Sequence, residues 1–136
     1  MSLNTTLACV TSTLRNGYKA RKLEINLKTN IIMNEILSIL KMQGYIRDYN
    51  FSEDKKTVCV FLKYHKEKPS ITEIEMISKH NKYNVVSFKK LQFNQKSLKQ
   101  QNQGLSTFIL TTSKGLLTEY DCILNKIGGR IILKIT

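Results

Sequence analysis

The hydrophobic period of this chain switches from helical to alternating and back again before Gly44, and that switching restricts it to a mixed α/β fold. Leu3, Leu7, Val10 and Leu14 recur at spacings of four, three and four, which is one stripe of an amphipathic helix. Thr5 or Thr6 is its expected cap, and Asn16-Gly17 its expected end, because both residues tolerate left-handed backbone. Tyr18-Lys19-Ala20-Arg21-Lys22 follows no period and reads as an exposed basic connector. Leu23 to Leu27 alternates as a half-buried strand does. Asn30 then opens a second helix with Ile32, Ile36, Ile39, Leu40 and Gln43 along one side, stopped by Gly44. Tyr45–Phe51 and Thr57–Tyr64 form a hairpin over Glu53–Lys56, with Val58, Val60, Leu62 and Tyr64 on the face that covers the helices. The expected first lobe, residues 1–66, is therefore α-β-α-β-β.

Beyond it, Ser70-Ile71-Thr72-Glu73 has the form of a capping box, so a helical turn burying Ile71, Ile74 and Ile77 is expected after Pro69. Val85, Val86 and Phe88 read as a strand, 89–103 as a basic loop or short surface helix, and Gly104–Leu110 as another strand. Thr118-Glu119-Tyr120-Asp121 caps a short helix running to Lys126, and Gly128-Gly129 turns the chain sharply into a final strand, Arg130–Ile135. The second lobe, 67–136, is thus mainly β with one short helix. Without a linker or repeat, the whole reads as two small lobes of one compact α/β (α+β) unit.

Charge decides the partner class. The net charge is +12, and it is unevenly spread: residues 1–78 hold 12 Lys/Arg against 8 Asp/Glu, residues 79–136 hold 10 against 2. From Met76 to Thr118 there is no carboxylate side chain at all. A solvated face needs no such bias, so an anionic polymer is the expected partner. No apolar run is long enough for a helix to span a membrane, and no apolar segment of signal-peptide type follows Met1. Cys9, Cys59 and Cys122 lie far apart with no ligand spacing to the histidines; they read as buried free thiols, with no metal and no cofactor expected. The bias towards Lys, Ile and Asn, with 18 Lys to 4 Arg, is that of an AT-rich genome, which favours an organelle or a reduced bacterium.

Within the acid-free half lies Thr111-Thr112-Ser113-Lys114-Gly115. Hydroxyls both donate and accept without charge, Lys114 offers a point charge to phosphate, and Gly115 lets the backbone turn tightly. Catalytic chemistry finds no comparable support. Ser52-Glu53-Asp54-Lys55 matches S-x-x-K but falls in a hairpin turn without its companion motifs, and no Gly-rich phosphate loop is complete. His65 and His80 sit among lysines with no adjacent carboxylate to orient them. No small-molecule substrate is implied.

Several of these segments together carry a resemblance. Leu7-Ala8, Leu14-Arg15-Asn16, Ile39-Leu40-Lys41-Met42-Gln43-Gly44-Tyr45-Ile46, Gly104-Leu105, Thr111–Gly115, Thr118-Glu119 and Gly128-Gly129 stand in order along the chain. The set resembles the signature of the small-subunit ribosomal protein eight family, weakest across 66–103. That resemblance implies a two-lobe, non-enzymatic protein that binds an irregular helix of the small-subunit rRNA central domain during assembly. It also implies neighbouring small-subunit ribosomal proteins as partners. The implied RNA-binding residues are Thr111, Thr112, Ser113, Lys114 and Gly115, with Gly128 and Gly129, and Arg15 and Asn16 in the first helix; the charge of the acid-free half adds Lys89, Lys90 and Arg130 as expected RNA-binding cations. The implied location is a ribosome, mitochondrial by composition, with plastid or bacterial cytoplasm as alternatives. Arg130 stands where the family pattern carries an acid, and Ser106 where it carries the second glycine of G-L-G. The competing expectation is a free-standing RNA chaperone or regulator that stacks bases on Tyr18, Phe88 and Phe93.

Overall fold

A computed structural model describes residues 3–77, 85–91 and 106–136, and the chain divides into two units, Met1–Ile74 and Glu75–Thr136. The first lobe was expected to end near residue 66. The extra residues belong to unit 1 because Tyr64–His65 (β4) pairs with Lys68–Pro69 (β5), and the Ser70 amide donates to the Lys63 carbonyl at 3.0 Å.

In unit 1, α1 spans Leu3–Lys19 and does not stop at Asn16-Gly17 as the sequence suggested. Two contacts explain the extra turn. A Cβ on Gly17 would stand 2.8 Å from Ile25 Cγ2 and 3.1 Å from Leu62 Cδ1, so this glycine lets the helix lie close against the sheet. The next residue, Tyr18, is buried; its hydroxyl donates to the Tyr45 carbonyl at 2.7 Å and accepts from the Lys63 amide at 3.3 Å. Such anchoring outweighs the roughly 1 kcal/mol that a glycine costs inside a helix. Tyr18 is therefore a core residue, and it is lost as a stacking platform.

The second helix, α2, covers Ile31–Met42. Asn30 caps it, accepting from the Met33 amide at 2.7 Å while its own amide group donates to Thr6 Oγ1 on α1 at 3.0 Å. Its buried stripe is Met33, Ile36, Leu37 and Leu40, rotated from the expected one; Ile32 and Ile39 are half-buried and Gln43 is exposed. Gly44 ends it at φ +80°. Against these helices lies an antiparallel sheet in the order β1 (Glu24–Lys28), β3 (Thr57–Leu62), β2 (Ile46–Phe51). Its registers Ile25↔Val60 and Leu27↔Val58 place those apolar pairs on the buried face.

The segment 70–73 is not helical, against the capping-box expectation. An i, i+3 apolar spacing does not require a helix, and here Ile71 and Ile74 are buried without one. The Ile74 carbonyl accepts from Arg15 Nη2 at 2.6 Å, a side-chain partner in place of a helical amide.

Unit 2 is built on a sheet in the order β6 (Ile74–Met76), β10 (Gly129–Ile135), β8 (Thr107–Thr112), β9 (Gly115–Thr118), with β7 (Val85–Val86) also on β10. A register shift between Ile131 and Leu133 makes Ile132 the extra residue of a bulge, which lets Ile132, Leu133 and Ile135 all be buried. Phe88 does not extend β7; residues 88–91 are helical, with the Leu91 amide donating to the Ser87 carbonyl at 3.0 Å. This turn buries Leu91 with Val86, Leu110 and Cys122. Helix α3 is Glu119–Leu124, capped by Thr118, whose hydroxyl accepts from the Asp121 amide at 3.2 Å.

Candidate nucleic-acid interface

The hydroxyl run is not a five-residue loop. Thr111 and Thr112 end β8, Gly115 begins β9, and only Ser113-Lys114 form the turn, with Thr112 paired to Gly115. Neither Ser113 nor Lys114 has positive φ, so the primed two-residue turns are excluded; Gly115, at φ +103°, takes the left-handed position that a side chain would resist. Thr112 is occupied locally. Its hydroxyl donates to the Gly115 carbonyl at 2.8 Å and accepts from the Lys114 amide at 3.2 Å, bracing the turn. Ser113 and Lys114 project as the exposed tip, and Thr111 is half-buried beside it.

Gly128 and Gly129 were expected to serve a sharp turn. Their role in the structure is close approach, since neither has positive φ. A Cβ on Gly128 would meet the Val86 carbonyl oxygen at 2.4 Å and Ser87 Cα at 3.0 Å; one on Gly129 would meet the Thr111 carbonyl oxygen at 2.6 Å and Thr112 Cγ2 at 2.7 Å. The two glycines therefore draw the segment 86–88 and the end of β8 onto the start of β10. Arg130, paired with Thr111 on one side and Val85 on the other, follows directly. Lys89 and Lys90 are exposed on the helical turn that Ser87 begins. Ten of the twelve expected site residues, from Lys89 to Arg130, thus belong to unit 2, gathered at one end of its sheet. Arg15 and Asn16 belong to unit 1, where Arg15 is committed to Ile74 and Asn16 helps to line a polar cleft of about 340 Å³ with Thr13, Lys22 and Glu24. Phe93, Lys96, Lys99, Gly104 and Leu105 lie outside the described residues.

The close-approach role of the glycine pair was hidden because sequence reports a glycine but not what passes beside it. The bracing role of Thr112 was hidden for a similar reason, since three adjacent hydroxyls look alike until the strand register separates them.

Of the cysteines, only Cys122 is buried; Cys9 and Cys59 are half-buried, correcting the expectation for those two. Burial, with a smaller contribution from Asp121 and Glu119, pushes the Cys122 thiol up to about 11. Folding thus favours the neutral thiol, and its stabilisation is present below about 9 and lost as pH rises towards 11. At pH 8 Cys122 should resist iodoacetamide in the folded protein and react in urea, as mass spectrometry of the modified peptides would show. Equal rates in both states would refute a buried thiol. Among the described residues no group of three or more His, Cys, Asp or Glu could hold a metal ion, and no helix is long and apolar enough to cross a membrane.

An α+β scaffold that presents a glycine-set hairpin and a cationic turn at one sheet end has the design of a binding protein. The ribosomal protein S8 family model matches residues 5–136. The chain is 35% identical over 134 residues to the small ribosomal subunit protein uS8 of Sulfurihydrogenibium sp. (strain YO3AOP1), covering 93% of each. It is 35% identical over 129 residues to the small ribosomal subunit protein uS8m of Acanthamoeba castellanii, covering 95% of this chain and 97% of that one. With uS8 of Mesorhizobium japonicum it shares 30% over 138 residues, 99% of both chains. The chain belongs to the ribosomal protein S8 family, a family of structural and non-enzymatic ribosomal proteins.

Proposed function

We propose that this protein is a constituent of the small ribosomal subunit that clamps an irregular helix of the central domain of small-subunit rRNA during assembly. The observation that carries this reading is the gathering of the Ser113-Lys114 tip, Arg130 and the Lys89-Lys90 turn by Gly128 and Gly129, within a half that has no acid from Met76 to Thr118. A-form duplexes hide their base edges in a deep, narrow groove, so small hydroxyl side chains on a fixed turn suit the shallow groove and any disturbed pair within it. Thr111 and Ser113 are the hydroxyls assigned to that contact; Thr112 holds the turn. Lys114, Lys89 and Lys90 supply attraction to phosphates.

The ribosome is proposed to be mitochondrial, on the Lys, Ile and Asn bias together with similarity to uS8m of Acanthamoeba castellanii. Neighbouring small-subunit ribosomal proteins are the further partners. The test is sedimentation of a native lysate through a high-salt sucrose cushion. The protein should stay with small subunits from the organellar fraction. Quantitative release as free protein would favour the chaperone reading, and recovery on cytoplasmic ribosomes would refute the location.

A further inference from the structure

Three of the five non-glycine residues with positive φ among the described residues come together in unit 1: Arg21 (φ +54°), Lys66 (φ +50°) and Glu67 (φ +66°). Lys66 and Glu67 are the two central residues of the β4–β5 turn, a geometry that asparagine and glycine adopt most readily. The chain keeps long charged side chains there despite the conformational cost. Arg21 reaches this turn from the segment that joins α1 to β1, donating through Nη1 to the Glu67 carbonyl at 3.1 Å. Beside it the Tyr64 hydroxyl donates to the Lys22 carbonyl at 2.7 Å. Two connections far apart in sequence are therefore locked together. Between them lies an open groove of about 470 Å³ lined by Arg21, Leu23, Tyr64 and Glu67, within the size range of small-ligand sites.

The groove has a definite chemistry. Leu23 is 77% exposed although it extends an otherwise alternating strand pattern, and the Tyr64 ring is steadied edge-on by Tyr18, with centroids 5.5 Å apart. Arg21 and Glu67 line it, and the residues beside them in the chain, Lys22 and Lys66, are exposed. An aromatic and an apolar surface set among cations is the arrangement that takes a base by stacking and its phosphates by charge. A duplex has no free base to insert, so the occupant must be unpaired.

We propose that this groove binds an unpaired nucleotide of RNA, its base against Tyr64 and Leu23 and its flanking phosphates on Lys22 and Lys66. The lining residues all belong to unit 1, and the proposal rests on the reading of the chain as an rRNA-binding protein. The test uses full-length protein, a fluorescent 12-nucleotide oligouridylate carrying 4-thiouridine, and a central-domain rRNA helix. Lys22→Glu/Lys66→Glu, two exposed positions, should weaken oligouridylate binding about tenfold or more, in line with the value of charged hydrogen bonds, and the rRNA helix far less. Photocrosslinks should map to the peptide containing Tyr64. Unchanged oligouridylate affinity in the double variant, crosslinks confined to unit 2, or equal competition by polyglutamate would each overturn the proposal. Failure of wild-type protein to bind the rRNA helix would instead count against the proposed function, while the oligouridylate measurement still decides this site.

Discussion

Gly128→Ala should cost unit 2 its fold, or at least about 3 kcal/mol of stability, the upper end of what overpacking usually costs. The new methyl would stand 2.4 Å from the Val86 carbonyl oxygen, a backbone atom that no rotamer change can move. Relief requires shifting either β10 or the segment carrying Val86 and Leu91, and both residues belong to the apolar core that includes Leu110 and Cys122. Thermal melts should show a midpoint lower by roughly 10 °C for a loss of that size. Gly44→Ala is the matched control. Its Cβ finds only Lys63 Nζ, at 3.6 Å, so its cost is confined to the left-handed backbone at φ +80° and should be the smaller of the two. A Gly128→Ala protein as stable as the wild type would mean the close approach does not exist in solution.

The second large effect concerns affinity. Lys89→Glu/Lys90→Glu should weaken binding to the central-domain helix by 10-fold or more, on the basis of roughly 1.5–3 kcal/mol for each charged hydrogen bond, and flatten the dependence of log affinity on log salt by about two contacts. Because phosphate contacts carry no sequence information, an ordinary duplex should lose a similar factor. Ser113→Ala should behave differently, weakening the irregular helix by about three- to tenfold and the ordinary duplex hardly at all. Thr112→Ala should lower the melting temperature as well as affinity, since its hydroxyl braces the turn. Filter binding on both RNAs, at several salt concentrations, separates these outcomes. Equal losses on both RNAs for Ser113→Ala would show that the tip reads nothing.

How much of this was legible in the sequence depends on whether a feature is local. The strands around Ile25, Val58 and Val60, the Asn30 and Thr118 caps and the Gly44 stop are written in neighbouring residues, and the structure has them all. The errors fall where a distant partner decides. Gly17 looked like a helix end because its reason for being small, Ile25 and Leu62, lies elsewhere in the sequence. Ser70–Glu73 looked like a capping box because a cap and an extended segment share the same residues until a tertiary partner, here Arg15 at the Ile74 carbonyl, selects one. The bulge at Ile132 leaves no mark in an unbroken apolar run. Candidate site residues were proposed from an ordered set of motifs, but the division of the hairpin into exposed tip, brace and spacer needed the register.

The bracing of the Ser113-Lys114 turn by Thr112 also has a consequence for the entropy of association. A recognition element that must be ordered as it binds gives up roughly 1–2 kcal/mol per residue fixed. Here the tip is already held by a left-handed glycine and by a side chain that both donates and accepts within the turn. Docking then freezes little beyond the Ser113 rotor and the Lys114 side chain. For the proposed complex, calorimetry should find the conformational entropy penalty of binding on the RNA side and little of it in the tip.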